Sequence, residues 1–219
     1  MSESKSKPNV ITMTRSQAAW FVDLALSSAG RDDITPVICG ALVTVADGRV
    51  KVTSTDRYRV TLATLSVESV TGDHEFIIPR AALEWLAKNA GALGRYMIDY
   101  QRVTIATDDA GGLVLTVIDG QTLENRNTLA YSGHVTKGKF PPVERLVEKA
   151  REAKAVAAEA TLNLDMLVAV RKLAPRGQAP TVKFTESDNP NRPGPVYFTF
   201  WGNGAIAAEV LVQPNLTQR

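Results

Sequence analysis

Thr55-Asp56-Arg57-Tyr58-Arg59-Val60 is the stretch of sequence that decides the fold. It follows two runs of largely apolar, alternating residues, 41–45 and 49–54, which are joined by Ala46-Asp47-Gly48. An Asp-Gly pair between two such runs is a strong short-range signal for a β-hairpin. The hexapeptide therefore predicts the end of a hairpin and the start of a third strand over residues 60–67.

A helix and one more strand precede this hairpin. Residues 10–13 predict a strand, and Thr14 is a good N-cap for a helix over 15–29. Within that helix Ala18, Phe21 and Val22 recur at helical spacing and predict its buried face. The first unit is therefore strand, helix and three strands.

The same order recurs further along the chain. Strand 75–78 leads into a helix over 80–90 that begins after Pro79, and strands follow at 96–100, 103–107 and 113–118, with another at 127–131. Two consecutive units of similar order indicate an internal duplication. We expect open edges at strands 113–118 and 205–212, which could pair with other chains.

The last third of the sequence predicts a shorter, partial copy of the unit. A break at Phe140-Pro141-Pro142 precedes a helix over 143–160, a strand at 161–164, a helix over 165–174 and strands at 181–185, 196–201 and 205–212. We therefore divide the chain into a disordered start (1–9), a first domain (10–138), a linker and helix (139–160) and a shortened second domain (161–219).

Composition excludes several classes of protein. The 219 residues are 44% hydrophobic, which allows a sizeable core, and the formal net charge of +2 argues by itself neither for nor against a nucleic-acid partner. The single cysteine, Cys39, cannot form an internal disulfide and favours a reducing cytoplasm. Because no apolar run approaches the length of a membrane span, we expect no membrane association.

No residue pattern predicts catalysis. The two histidines, His74 and His134, lie far apart and away from cysteines or acidic pairs, so a metal site is not expected. Asp108-Asp109 falls in a predicted turn, where aspartate is favoured for local hydrogen bonds. No phosphate-binding glycine loop is present in the sequence. We expect no enzymatic activity and no cofactor.

The order of the motifs resembles the middle domain of the bacterial DNA polymerase III sliding clamp, the β subunit. After Thr55–Val60 come Ile78-Pro79-Arg80 and Lys139-Phe140-Pro141-Pro142-Val143-Glu144-Arg145-Leu146, in the family's order. The resemblance implies an α+β DNA clamp fold, with repeated strand-helix-strands units whose sheets lie outside and whose helices line a ring. It also implies a non-catalytic processivity factor for DNA replication, in a short version typical of phages.

In that family a pocket between two domains binds a short peptide of the polymerase or clamp loader. Carried over position by position, the resemblance assigns the pocket to Ile38, Thr55, Arg57, Tyr58, Arg59, Val60, Pro141, Arg145, Leu146, Leu211, Gln213 and Pro214. Arg57 stands where the family has glycine and Tyr58 where it has histidine, while Gln213 and Asn215 replace methionines. These departures predict a smaller or more polar pocket.

The resemblance further implies basic residues that meet duplex DNA without reading its sequence. The candidates on predicted helices are Arg15, Lys88, Lys149, Arg151, Lys154, Arg171 and Lys172, with Arg95 and Arg176 as alternates. Two domains per chain predict a homotrimeric ring in the cytoplasm of a bacterial or phage-infected cell. One and a half domains per chain, with another closure or none, is the other possibility. A monomeric clamp-fold adaptor for replication-protein peptides is the alternative function.

Overall fold

Two units of one strand-helix-strands order follow each other along the chain, and a third unit without a leading strand comes after them in the described residues. The computed structural model describes residues 8–32, 34–90, 101–120, 126–156, 160–174, 179–189, 192–202 and 205–214. The first unit comprises β1 (Asn9–Thr14), α1 (Arg15–Ser27), β2 (Gly40–Ala46), β3 (Arg49–Thr55) and β4 (Arg59–Leu65), with a 3₁₀ turn at Pro36–Ile38 and a short β5 (Ser69–Val70).

Local signals account for the boundaries in this unit. Thr14 and Gln17 form a capping box, in which the Thr14 hydroxyl accepts from the Gln17 backbone N–H and the Gln17 side chain accepts from the Thr14 N–H. Asp47 and Gly48 both have positive φ, at 51° and 72°. Such a pair matches the twist of the hairpin between β2 and β3.

The second and third units repeat this order with differences. The second comprises β6 (His74–Pro79), α2 (Arg80–Asn89), β7 (Arg102–Thr107), β8 (Gly112–Gly120) and β9 (Arg126–His134). A helix, α3 (Glu144–Glu152), then precedes the third unit, which comprises α4 (Leu164–Lys172), β10 (Thr181–Phe184), β11 (Val196–Gly202) and β12 (Ala205–Val212).

The leading strands of the first two units are exchanged between their sheets. β1 pairs with β7, so the first sheet has the order β5-β1-β7-β8-β9, and β6 pairs with β2 in the second sheet. β12 continues the second sheet beyond β4, which gives the order β10-β11-β12-β4-β3-β2-β6. The duplication predicted from sequence is thus confirmed in the strand pairing, and the third unit is joined to the first by strands.

One face of the seven-stranded sheet carries the main core. Alternate strand residues such as Val43, Val52 and Phe198 are buried there with Phe21 of α1, Leu86 of α2 and Leu173, just past α4. Three helices therefore lie on this inner face. The fold is the predicted α+β arrangement, in which α1, α2 and α4 share one side of the sheets.

α3 lies on the opposite, outer face of the same sheet. Val147 and Ala150 of α3 pack with Val60, Tyr197 and Leu211, whose strand neighbours point to the main core. Lys51 anchors the first turn of α3, because its Nζ lies 2.8 Å from Glu144 Oε1. A thin apolar stripe is enough for this helix because it covers only the outer side of the sheet.

Several predictions of secondary structure need correction. The helix predicted over 143–160 spans only Glu144–Glu152, since Ala153 turns to an extended conformation and Ala155 bridges to Thr185. Residues 161–164 form no strand, and α4 begins within them. The predicted open edges are interior strands, because β8 lies between β7 and β9 and β12 lies between β11 and β4.

Some predictions fall outside the described residues. These are the first seven residues of the predicted disordered start, the strand at 96–100, the alternates Arg95 and Arg176, and Asn215. The division into domains stays a prediction.

Candidate functional site

The turn between β3 and β4 is held by its own side chains. Asp56 Oδ1 accepts hydrogen bonds from the backbone N–H groups of Tyr58 and Arg59, at 3.1 and 2.8 Å. Asp56 Oδ2 also accepts from the Arg59 guanidinium, at 2.9 Å from Nε and 2.6 Å from Nη2. Thr55 Oγ1 donates to the Arg59 carbonyl oxygen at 2.7 Å. Arg59 is therefore already paired with a carboxylate and is poorly placed to hold one from a ligand.

Arg57 occupies a backbone conformation that suits glycine. Its φ is +77°, and its guanidinium donates to the Thr35 hydroxyl. Side chains with a Cβ are disfavoured in this region. The geometry explains why the family pattern has glycine here, and it shows that this chain tolerates arginine at some conformational cost.

We expect Arg57→Gly to be more stable than Arg57→Ala by about 1 kcal/mol, because both lose the guanidinium but only glycine relieves the positive φ. Urea unfolding of the two variants, followed by circular dichroism, measures the difference. Equal stabilities would show that the turn imposes no strain on this residue.

Two predicted pocket residues lie together on the outer face, but they are covered. Val60 and Leu211 are cross-strand neighbours in β4 and β12, and each is only 5% exposed. Val147, fully buried, and Ala150 of α3 pack over them. Side chains of α3 thus occupy the place that the family resemblance assigns to a bound peptide.

The other predicted pocket residues divide between surface and interior. Tyr58, Leu146, Arg57 and Arg145 are exposed, and Pro141 and Gln213 are half-buried. Thr55, Ile38 and Pro214 are buried. The Gln213 N–H donates to the Tyr58 carbonyl oxygen at 2.8 Å, which joins the end of β12 to the turn. The structure therefore brings together the turn and the end of β12, while the exposed Arg145 and Leu146 belong to the first turn of α3.

An open groove of about 770 Å³ lies beside the start of α3. Its apolar floor consists of Leu42, Ile77 and Phe140, and Pro141 and Arg145 stand at one side. Thr53 also lines it, is 1% exposed, and has a hydroxyl without a hydrogen-bond partner in the part of the chain that the structure describes. Further lining residues are Glu75, Phe76, Val135, Thr136, Lys137, Gly138, Lys139, Pro142 and Glu144.

The sequence contained a signal for this groove that motif matching missed. Leu42 and Ile77 are apolar residues at the outward positions of β2 and β6, between inward-facing neighbours that are also apolar. Strands that are apolar on both faces are covered on both faces. The pattern indicates that something packs on the outer side of the sheet.

An ion pair between partly exposed Arg151 and buried Glu209 fixes α3 to the outer face. The Arg151 guanidinium donates to both oxygens of Glu209, at 3.0 and 2.7 Å, and the Tyr197 hydroxyl donates to Glu209 as well. The hydrogen bond to Glu209 raises the pKa of Arg151, and burial together with Glu209 raises the pKa of Tyr197. Arg151 is therefore a structural residue that holds the covering helix in place.

The predicted DNA-facing residues do not form one surface. Lys149 and Arg151 belong to α3 on the outer face, and Lys154 lies beyond the end of α3. Lys149 is paired with Asp188 and Arg151 with Glu209. These three cations thus lie with α3, on the side of the sheet away from α1, α2 and α4.

The other four cations belong to the helices of the inner face. Arg15 begins α1, Lys88 lies in the last turn of α2, and Arg171 and Lys172 lie in the last turn of α4. Lys88, Arg171 and Lys172 are exposed. α1 and α4 are in contact, and the charge of Lys172 on α4 opposes the rise that partial burial causes in the pKa of Asp23 on α1.

The described residues contain no group of three or more histidine, cysteine, aspartate or glutamate side chains that could hold a metal ion. Among the same residues, no helix is long and apolar enough to cross a membrane.

Comparison with known proteins gives a consistent family likeness. Residues 18–141 match the family model described as the central domain of the DNA polymerase III beta subunit. No curated protein matches the sequence. The chain resembles the DNA polymerase sliding clamp of Pseudomonas aeruginosa with a TM-score of 0.65 and 15% identity, over 98% of this chain and 68% of that one.

The beta subunit of DNA polymerase III from Thermotoga maritima is similar at a TM-score of 0.61 and 14% identity, over 96% of this chain and 65% of that one. The chain thus spans about two thirds of the length of these structures. At such identities the structural likeness shows the fold.

Proposed function

This chain belongs to the DNA polymerase III beta subunit family, and we propose on that premise that it is a sliding clamp that encircles duplex DNA and tethers a polymerase. The proposal gives it no catalytic step and no cofactor. Its contribution to replication is effective concentration, because a polymerase bound to a ring on DNA cannot diffuse away.

The inner helical layer supports a DNA-facing surface. Lys88, Arg171 and Lys172 are exposed on helices that share one side of the sheets, and Arg15 begins the neighbouring helix. Cations on such a surface meet phosphates without reading bases, which allows sliding. We therefore assign the bore to α1, α2 and α4, and we leave Lys149, Arg151 and Lys154 out of it.

The strand pairing supports closure of a ring through several copies. β4 and β12, the last strands of the first and third units, pair antiparallel. β9, the last strand of the second unit, lies at the end of its sheet, and residues 127–130 are exposed. An exposed edge of this length is a template for pairing with another chain. We propose that β9 pairs with a strand of a second copy.

The number of copies depends on how many units each chain supplies. The family resemblance implies a ring of six domains with two units each, or twelve units, so the homotrimer expected from the sequence requires four units per chain. The described residues contain three units, so four copies would supply twelve. The trimer stays a prediction, and the mass of the assembly separates it from a tetramer.

The surface beside the groove is the proposed peptide site. Arg145 lines this groove, exposed Leu146 follows Arg145 on α3, and the groove offers apolar contacts at Leu42 and Ile77. A peptide with leucine or phenylalanine anchors can bury them there, while Arg145 holds a polar group. Because a few anchors dominate, the affinity of a peptide alone should be micromolar.

Trapping on end-blocked DNA tests encirclement without a loader. We expect the protein to thread onto linear duplex DNA, to remain bound through a salt wash once biotinylated ends are capped with streptavidin, and to leave when the DNA is cut between the caps. Capping the ends before the protein is added serves as the control. Equal retention in both orders of addition would overturn encirclement.

The same experiment addresses the alternative, a monomeric clamp-fold adaptor that binds peptides. Such an adaptor would show peptide binding but no retention on capped DNA in either order. Exposed Leu146 and the nearby groove are compatible with both functions. The open β9 edge favours the ring.

A further inference from the structure

The third unit lacks the counterpart that each of the first two units has. β1 joins β7, and β6 joins β2, so each leading strand pairs with the first of the three strands in the other unit. α1 also packs against α2. In the third unit, residues 160–163 precede α4 but form no strand, and β10 lies at the end of its sheet. The unit corresponds to half of a domain, and no second half pairs with it among the described residues.

The edge of β10 is only partly covered by the connector from α3. Ala155 bridges to Thr185, and the Val156 N–H donates to the Phe184 carbonyl oxygen at 3.0 Å. Both contacts lie at the end of β10. Because alternate residues of a strand share one hydrogen-bonding side, the backbone of Val182 faces the same way as that of Phe184, away from β11. Val182 is 46% exposed.

α4 carries an exposed apolar stripe that α1 and α2 do not. Leu164 is 74% exposed and Val168 is 55% exposed, and they lie one turn apart on the helix. Asp165 is near the start of this helix, and Arg171 is near its end. Asp165 and Arg171 lie three residues on either side of Val168. Two antiparallel copies of α4 that cross at Val168 therefore oppose Asp165 of each to Arg171 of the other.

We infer that the third unit is completed by the third unit of a second copy of this chain. Residues 160–163 of each chain add to the β10 edge of the other, as β1 adds to β7, and the two α4 helices pack together as α1 packs against α2. This arrangement deepens the proposed function, because it names one surface through which clamp chains assemble.

The completed domain has a consequence for the number of copies. Each chain gives and receives the same contacts, so the interface is isologous and follows a two-fold axis. An isologous interface joins chains in pairs. Closed assemblies in which every chain uses this interface therefore contain an even number of chains and not three.

A pair of matched substitutions tests this interface. Leu164→Glu places a charge on the α4 stripe, and glutamate at the first position of a helix suits the helix dipole, so α4 itself is preserved. Ile34→Glu is the control, because Ile34 is an aliphatic residue that is 85% exposed and lies outside the third unit. We expect Leu164→Glu to weaken association at least about tenfold in sedimentation equilibrium, and Ile34→Glu to leave it unchanged.

Two further variants test the β10 edge and the contact between the α4 helices separately. Val182→Pro should also weaken association, since proline blocks an edge that is open to pairing. Val168→Cys in a Cys39→Ser background should give a covalent dimer with a short bismaleimide. A wild-type trimer or monomer, or unchanged association in Leu164→Glu, would overturn the inference. A trimer that is still trapped on capped DNA would overturn it while leaving the proposed sliding clamp intact.

Discussion

Leu211→Asp is expected to unfold the chain, although the position belongs to a surface pocket in the sequence comparison. Leu211 is 5% exposed and packs against Val60, Val147 and Tyr197 beneath α3. The change removes a buried aliphatic side chain and places an unpaired carboxylate among apolar groups. We expect the free energy of unfolding to fall by about 3–5 kcal/mol, a large part of the stability of a typical domain. Urea unfolding followed by tryptophan fluorescence measures it.

Leu146→Asp is the matched control for the loss of stability expected in Leu211→Asp. Leu146 lies next to buried Val147 on α3 but is 47% exposed, so we expect its replacement to change the free energy of unfolding by less than about 0.5 kcal/mol. Because Leu146 borders the proposed peptide surface, the same variant should bind a polymerase tail peptide more weakly. Fluorescence anisotropy with a labelled peptide measures this in a fully folded protein.

Leu211→Asp and Leu146→Asp together distinguish a pocket that is filled by α3 from one that is open to a peptide. If Leu211→Asp remains as stable as the wild type, α3 does not cover this strand and the pocket is open as the sequence comparison implied. If Leu146→Asp binds the peptide unchanged, the peptide site lies elsewhere, and the fold alone is shared with the clamps.

Local signals in the sequence were sufficient for the first two units. The Asp-Gly turn, the Thr14 cap and Pro79 before α2 each act within a few residues, and the structure confirms the elements that they predicted. The exchange of β1 and β6 between sheets was not visible in this way. It depends on contacts between segments that are distant in sequence, and a strand pattern alone does not name its partner.

The third unit shows how a missing partner overrides a local pattern. Residues 161–164 alternate like a strand, but the structure contains no sheet beside them within the described chain. Strand propensity depends on cross-strand neighbours and burial rather than on the backbone alone. Helix propensity misled in a similar way after Glu152, where strong helix formers give way to an extended connector that pairs with Thr185.

For the candidate site, the sequence predicted which residues are basic or exposed better than it predicted the face of the sheet on which they lie. Leu146 and Arg145 are exposed, and their grouping with the turn in one peptide site stays a prediction. The lysines and arginines of α3 matched the expectation of basic helices, but the side of the sheet on which a helix packs is set by its apolar residues. Val147 and Ala150 place α3 on the outer face, so its cations follow it there.

Because the cations are divided between two faces, charge reversal on one face should change the affinity for duplex DNA much more than charge reversal on the other. The double variant Arg15→Glu, Lys88→Glu reverses charge on the inner helices, and the double variant Lys149→Glu, Lys154→Glu reverses the same number of charges on the outer side. Both change the net charge of the chain equally. A difference between them therefore reports the position of DNA and not the total charge.

We expect the inner variant to lose at least about tenfold in affinity for duplex DNA at low salt, on any sequence, and the outer variant to bind like the wild type. If two phosphate contacts are lost, the slope of log affinity against log salt should become shallower by about 1.8, since each contact contributes about 0.9. Anisotropy titrations over a series of salt concentrations measure both quantities, with the assembly mass checked for each variant.

Equal losses in the two variants would place DNA on no single face, and a loss confined to the outer variant would put α3 in the bore. The expected loss in the inner variant follows from packing, because the apolar residues that fix α1 and α2 to the sheets also determine the direction in which the charged residues of these helices point.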